Sequence, residues 1–148
     1  MNNKLILGLG ALAAAAIYFF QGKKEALENV KITPLDIAIN KQKTNIRNLV
    51  FNFKLKIANP GNFKVNINDI NLDIIVNNKK IGNFQKLNFT SIEPNNAKTI
   101  NLEISVSNLA VVDVVLNLLA DNDGIKVHLL GEVNTDLGAI LIDYKKNL

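Results

Sequence analysis

Most of the chain after residue 24 alternates apolar and polar residues, which is the period of β-strands with one buried face. The longest such run is Leu49–Ile57, where every second residue is apolar. A second run ends at Ile67, and its phase shifts by one residue before it continues through Ile70–Val76. A straight strand would turn its apolar face outward after that shift. We therefore predict a bulge or bend near Asn68-Asp69.

The same alternation recurs in several shorter runs along the chain. They lie around residues 30–39, 81–89, 100–106, 125–129 and 140–144. Asn77-Asn78-Lys79 suits a hairpin turn, because Asn tolerates the positive φ that its central residues need. Glu93-Pro94-Asn95-Asn96 is a second turn signal. About seven short antiparallel strands predict a mainly β protein folded as a β-sandwich.

One segment departs from the strand period and predicts a short helix. Ser107-Asn108 is a suitable cap for a helix over Leu109–Ala120, which Asp121-Asn122-Asp123-Gly124 would end. Asp113 and Asn117 lie four residues apart and form a single polar stripe on an otherwise apolar cylinder. Such a helix needs cover on nearly every side. We expect it to close one end or edge of the sandwich, or else to lie on a membrane or a partner.

Before these strands lies an unbroken apolar run, Leu5–Phe20, between Lys4 and the pair Lys23-Lys24. As a helix it would span about 24 Å, and lysines at both ends could reach the headgroups of a bilayer whose core is about 30 Å thick. We interpret it as a single-pass transmembrane helix that precedes the sandwich. The residues assigned to this anchor are Leu5, Ile6, Leu7, Leu9, Leu12, Ile17, Tyr18, Phe19 and Phe20.

Two other interpretations of the apolar run stay open. It resembles a cleaved signal peptide, and it could also be a buried helix of a folded protein. With an anchor, the chain divides into residues 1–24 and a domain over residues 25–148. The protein would then lie in a virion membrane or a bacterial membrane. Lysines on both sides of the run leave the side of the membrane open.

The charge of the chain argues against a nucleic-acid partner. The 148 residues carry 17 Lys and Arg against 13 Asp and Glu, a net charge of +4. Lys4, Lys23 and Lys24 belong to the apolar run and its flanks, so 14 basic residues face 13 acidic ones in the rest. A nearly neutral domain lacks the basic surface that nucleic-acid binding needs.

The sequence offers few residues for catalysis or for metal binding. It has no Cys and one His, His128, which excludes thiolate metal sites, disulfides and a cysteine nucleophile. Asp121-Asn122-Asp123-Gly124 is similar to half of a calcium loop, but Lys126 stands at the sixth position, where that loop needs Gly. We predict no catalytic residues, no metal site and no cofactor.

Asn59-Pro60-Gly61-Asn62 follows directly from the strongest strand run. Pro at the second position and Gly at the third are typical of a type II turn, because Gly supplies the positive φ that this turn requires. We predict a structural role for Asn59, Pro60 and Gly61.

Several segments together resemble a known family. They are FNFKLKIANP (51–60), NINDINLDIIVNN (66–78), Lys80-Ile81-Gly82, ISVSNLAVVDVVLNLL (104–119) and GEVNTDLGAILIDY (131–144). Their order is similar to that of the type 2 late-embryogenesis-abundant proteins, also called the water-stress and hypersensitive-response (WHy) domain. The resemblance covers about residues 30–144, and Asn59-Pro60 with Ile81-Gly82 is its most specific part. It implies a sandwich of about seven strands and one helix, often membrane- or lipid-anchored, with no known catalytic residues.

Two non-enzymatic functions follow from these patterns. The first is a structural or interaction protein of a membrane-bound assembly, such as a lipid-containing virus particle. Its partners would be the lipid bilayer, other proteins of the assembly and a possible second copy of the chain. The alternative is a stress-protection or lipid-binding protein, as the family resemblance implies.

Overall fold

The computed structural model describes residues 24–25, 27–120 and 124–148. Residues 24–25 and 27–29 have helical backbone and precede the first strand. The named elements, in chain order, are β1 (Lys31–Ile39), β2 (Leu49–Asn59), β3 (Val65–Val76), β4 (Lys79–Ile92), β5 (Asn96–Val106), α1 (Leu109–Leu119), β6 (Lys126–Thr135) and β7 (Ala139–Asn147). The prediction of a mainly antiparallel β protein with one short helix is confirmed.

The strands form two antiparallel sheets that face one another. A three-stranded sheet has the order β1-β2-β5, and a four-stranded sheet has the order β4-β3-β6-β7. Neighbouring strands in each sheet run antiparallel over most of their length. Their alternation places one apolar face of each sheet in a shared core.

The core is built mainly from the central strands of both sheets. Phe51 and Phe53 of β2 are almost fully buried, as are Ile70, Leu72 and Ile74 of β3. Burying each of these side chains stabilises the fold by about 1.5–3 kcal/mol. Helix α1 adds further apolar side chains to the same cluster, namely Val111, Val114 and Val115.

Two local predictions on β3 are confirmed. The register of β3 shifts between Ile67 and Asp69 against both of its neighbours, which is the predicted bulge. The bulge keeps Ile67 and Ile70 buried although three positions separate them. The following hairpin turns at Asn77 and Asn78, whose φ angles are 48° and 65°. Asn adopts this left-handed conformation more readily than most residues.

The predicted cap and position of the helix are confirmed as well. Asn108 is the N-cap of α1, and its side-chain oxygen accepts a hydrogen bond from the Ala110 N–H at 2.9 Å. The amide of the same residue donates to the Ile81 carbonyl of β4. Asn108 therefore begins the helix and attaches it to the four-stranded sheet.

The two sheets approach closely at both of their lateral edges. At one edge, a Cβ added to Gly82 of β4 would lie 2.9 Å from a Val106 methyl of β5, so Gly permits this close approach. At the other edge, Lys146 of β7 forms an ion pair with Asp36 of β1 and donates to the Ile37 carbonyl at 3.1 Å. The hydrogen bond from Lys146 holds the pKa of Asp36 below its ordinary value.

The predicted transmembrane helix and the membrane location inferred from it are wrong. None of the helical stretches that the structure describes combines the length and apolarity that crossing a bilayer requires. Helix α1 has 11 residues, and at about 1.5 Å per residue it reaches about half the thickness of a bilayer core. The run Leu5–Phe20, whose 16 residues also fall short of about 30 Å as a helix, lies outside the described residues together with Lys4 and Lys23. Lys24 is described and exposed.

Replacing Asp36 with Asn removes the ion pair that joins the sheet edges. Because the pKa of Asp36 is lowered by folding, its contribution to stability is present above its ordinary pKa and disappears as the pH falls through the lowered value. We expect Asp36→Asn to lower the urea midpoint at pH 7 and to match the original chain in strong acid. Urea unfolding followed by circular dichroism at several pH values measures this. Glu28→Gln, at an exposed position, is the control. If the urea midpoint of Asp36→Asn were lower by the same amount at every pH, the prediction would be contradicted.

Candidate functional site

The side chain of Asn59 is fully buried at the end of β2 and holds three segments together. Its amide nitrogen lies 2.7 Å from the Phe63 carbonyl and 3.2 Å from the carbonyls of both Ile92 and Glu93. Its oxygen accepts a hydrogen bond from the Gly61 N–H at 3.2 Å. One carboxamide thus connects the β2–β3 loop to the turn between β4 and β5.

The predicted type II turn at Asn59-Pro60-Gly61-Asn62 is wrong. Among the described glycines, Gly138 alone has a positive φ. Gly61 therefore lacks the positive φ that a type II turn requires at its third position. The chain turns because the Asn59 side chain binds the loop backbone. The loop is therefore stabilised by hydrogen bonds of the Asn59 side chain and not by a positive φ at Gly61.

A shallow groove of about 300 Å³ crosses the outer face of the four-stranded sheet. The residues that line it are Asn71, Asp73, Asn83, Leu130, Gly131, Glu132 and Leu141. They come from all four strands because strand pairing sets Asn71 beside Glu132, and Glu132 beside Leu141. The groove combines carboxylates and amides with two exposed leucines.

Two amide groups organise the polar side chains of this face. Asn83 donates to Asn71 Oδ1 at 2.8 Å and to Asp73 Oδ1 at 2.9 Å. Asn134 donates to Asp69 Oδ1 at 2.9 Å and to Glu132 Oε1 at 3.2 Å. These bonds hold the three carboxylates of β3 and β6 in fixed positions on one surface.

The electrostatic environment differs among these carboxylates. Lys80 forms an ion pair of 2.7 Å with Asp73, and its hydrogen bond, followed by that of Asn83, holds the pKa of Asp73 below the ordinary value. Asp69 and Glu132 share the neutral amide of Asn134 instead. The surface therefore presents negative charge towards solvent and suits a partner that brings amines or other hydrogen-bond donors.

Gly131 permits close contact between β3 and β6 at the centre of the groove. A Cβ at this position would lie 2.0 Å from the Asn71 carbonyl oxygen and 2.9 Å from the Leu72 Cα. Both atoms belong to the backbone, which cannot move aside without disturbing the strand pair. Glycine at this position is therefore required by the local geometry.

His128 lies on the polar side of β6, as the alternation predicted. Its Nε2 lies 2.8 Å from Asp143 Oδ1 of β7. In the part of the chain that the structure describes, no group of three or more His, Cys, Asp or Glu residues is arranged to hold a metal ion. Residues 121–123, which begin the segment compared with a calcium loop, lie outside the described residues.

Sequence reasoning identified Asn59 but missed the groove. Asp69, Asp73 and Glu132 each occupy a polar position of an alternating run, which predicts a solvated face and nothing more. Their proximity depends on the pairing of β3 with β6, two strands separated by about fifty residues of chain. The two aspartates on the outer side of β3, Asp69 and Asp73, are the signal that could have indicated it. The residues assigned to the membrane anchor, from Leu5 to Phe20, lie outside the described residues.

Removing the Asn59 carboxamide takes away the two N–H donors that the Phe63, Ile92 and Glu93 carbonyls share. We expect Asn59→Ala to lower the free energy of unfolding by about 3 kcal/mol, because each buried polar group left unsatisfied costs about 1–3 kcal/mol. Urea denaturation followed by far-ultraviolet circular dichroism measures the change. Asn101→Ala, at an exposed position of β5, is the matched control and should change stability by less than about 0.5 kcal/mol. Equal losses for the two variants would contradict the role assigned to Asn59.

A methyl group at position 131 would force β3 and β6 apart. We expect Gly131→Ala to destabilise the protein by about 1–3 kcal/mol, the usual cost of overpacking. Thermal unfolding compared with Leu130→Ala provides the test, because Leu130 is 42% exposed and its truncation leaves the backbone contact intact. A Gly131→Ala variant as stable as the original chain would show that the two strands tolerate separation here.

Comparisons with known proteins support one family. A sequence profile of the family described as late embryogenesis abundant protein matches residues 54–146, which run from within β2 to the end of β7. No curated protein sequence matches the chain.

Several solved structures share the fold at low sequence identity. A protein of Arabidopsis thaliana, solved in solution, is 13% identical with a TM-score of 0.59, covering 79% of this chain and 78% of the other. A late embryogenesis abundant protein, also solved in solution, is 15% identical with a TM-score of 0.56, covering 98% and 86%. A crystal structure of a protein from Archaeoglobus fulgidus is 11% identical with a TM-score of 0.52, covering 80% and 91%. The profile match across both sheets shows that the chain belongs to the late embryogenesis abundant protein family.

Proposed function

We propose that this chain is a non-catalytic stress-protection protein of the type 2, water-stress and hypersensitive-response (WHy) class. In this function it stabilises other proteins when water is withdrawn. The observation that carries the proposal is the family match over residues 54–146. The same match favours protection over a structural function in a virus particle or another membrane-bound assembly.

The outer face of the three-stranded sheet supports this proposal chemically. Its exposed side chains on β2 are Asn52, Lys54 and Lys56, and β5 adds Thr99 and Asn101 beside them. Groups of this kind bind water in a hydrated cell. As water is lost, the same donors and acceptors can hydrogen-bond to polar groups of a neighbouring protein, which otherwise would remain unsatisfied.

The buried side of the same sheet stabilises the fold while the polar side binds another protein during drying. Phe51, Phe53 and Leu55 of β2 alternate with the exposed polar residues and are each at most 1% exposed. The apolar side chains are therefore held in the core, while the polar ones stay available on the surface. A folded surface pays little conformational entropy when it binds a partner.

Protection of a labile enzyme tests the proposed function. Lactate dehydrogenase is dried and rehydrated with this protein, or with an equal mass of serum albumin, and its remaining activity is measured. We expect more activity to survive with this protein. Replacing Asn52, Thr99 and Asn101 together with Ala should reduce protection without unfolding the sandwich, because all three are exposed on one face.

A second arm of the experiment separates protein protection from lipid binding. Phosphatidylcholine vesicles loaded with a fluorescent dye are dried in parallel, and leakage is measured after rehydration. Protection of the enzyme supports the proposal. Protection of the vesicles alone would contradict it in favour of a lipid-binding protein, and no protection beyond that of albumin would contradict both.

A further inference from the structure

The outer faces of the two sheets carry opposite charge on their central strands. On the three-stranded sheet, Lys54 and Lys56 of β2 are exposed on the outer side. Strand pairing sets Lys56 between Thr33 of β1 and Thr99 of β5, and it sets Lys54 beside Asn101 of β5. We refer to Lys54, Lys56, Thr33, Thr99 and Asn101 as the lysine face. Two carboxylates border it, Asp36 opposite Lys54 on β1 and Glu103 on β5, and they already form ion pairs with Lys146 and Lys43 respectively.

On the four-stranded sheet, the central strands carry carboxylates instead. Asp69 and Asp73 of β3 and Glu132 of β6 lie on its outer side, alternating with buried residues. Three exposed leucines accompany them, namely Leu87 (63% exposed), Leu130 (42%) and Leu141 (81%). We refer to these six residues as the carboxylate face. Exposed apolar side chains grouped with charged ones on one surface are typical of a docking site.

We propose that the partner of the carboxylate face is the lysine face of a second copy of this chain. Charge complementarity carries the proposal. The lysine face stays net positive with Asp36 beside Lys54, and the carboxylate face stays net negative with Lys80 paired to Asp73. Two lysine faces, or two carboxylate faces, would repel one another. The contact therefore joins unlike surfaces of two identical chains.

The spacing of the charges on the two faces also agrees. Lys54 and Lys56 are two residues apart on one strand, a distance of about 6.8 Å. Asn134 is paired with Asp69, so Glu132 is a diagonal neighbour of Asp69, and such neighbours are about 7–8 Å apart. Two adjacent ammonium groups can therefore meet two adjacent carboxylates when the sheets pack face to face.

The surroundings of the lysines favour this packing. Thr33, Thr99 and Asn101 are shorter than lysine, so the lysine stems project beyond them. The stems can cover the exposed Leu130 and Leu141 while their ammonium groups reach the carboxylates. The contact thus combines apolar burial with ion pairs.

The arrangement of the two faces determines the type of assembly. They lie on opposite sides of the same sandwich, since each is the outer face of a different sheet. A contact between unlike faces leaves one free lysine face and one free carboxylate face at the two ends of every complex. Such contacts extend into open stacks unless the rotation between copies closes a ring.

The strength of the contact follows from its exposed position. Surface ion pairs each contribute about 0.2–1 kcal/mol and weaken as salt screens them. Association should therefore be weak, dependent on concentration and sensitive to salt. Association uses the same outer face of the three-stranded sheet as the proposed protection of other proteins. It is measured on the purified chain without any protected enzyme, so a failure of one proposal is distinguishable from a failure of the other.

Sedimentation equilibrium of the purified full-length chain tests the proposal. At low salt, we expect the weight-average mass to rise above the monomer mass of 16.3 kDa as protein concentration increases. Lys54→Gln with Lys56→Gln neutralises the lysine face, and Asp69→Asn with Glu132→Gln neutralises the carboxylate face. Each double variant alone should raise the dissociation constant about tenfold, equivalent to about 1.4 kcal/mol.

An equimolar mixture of the two double variants gives the most specific result. One variant retains an intact carboxylate face and the other an intact lysine face, so a single type of contact remains. We expect the mixture to form complexes of two chains and to stop there. Pairing through strand edges, or through residues 1–23, predicts instead that both variants associate as the original chain does.

A matched control separates the faces from overall charge. Lys41→Gln with Arg47→Gln removes the same charge from exposed positions in the β1–β2 loop and should associate as the original chain does. An original chain that stays monomeric at low salt and high concentration would overturn the proposal. So would double variants that associate normally, or a mixture that remains monomeric.

Discussion

The two sheets are held together by the apolar layer that they share, and the other features of the fold keep water out of that layer. Each strand contributes every second residue to it, so any change of phase exposes apolar surface. The bulge between Ile67 and Asp69 restores the phase of β3 within the strand. Asn59, Asn108 and the pair Asp36–Lys146 then secure the ends and edges of the sandwich.

Two asparagine side chains in this structure connect segments that are distant in sequence. Asn59 of β2 donates to carbonyls at the end of β4 and in the β4–β5 turn. Asn108 joins helix α1 to β4. A carboxamide is suited to this work because it donates and accepts at once without carrying a charge into a nonpolar environment. These two asparagines explain more of the architecture than the asparagines that alternate along the outer faces of the strands.

The surface follows from the same alternation as the core. Residues that do not enter the apolar layer must face solvent, and in β2 those residues are lysines and asparagine, whereas in β3 they are largely aspartates and asparagines. Strand pairing gathers them into two faces of different charge. A family defined by its fold can thus differ in what its faces bind, since outer residues change without disturbing the core.

The alternation of apolar residues determined the strands and the bulge, and single asparagines marked the Asn77-Asn78 hairpin and the helix cap. All of these features depend on neighbours within a few positions of one another. Strand pairing decided what sequence could not reveal. The groove needs β3 beside β6, and the role of Asn59 needs the β4–β5 turn beside it. The anchor prediction failed for a related reason: an apolar run fits a bilayer, a signal peptide or a protein core equally well, and composition alone does not separate them. Contacts between distant segments are set by the packing of the whole chain, and only the tertiary structure contains them.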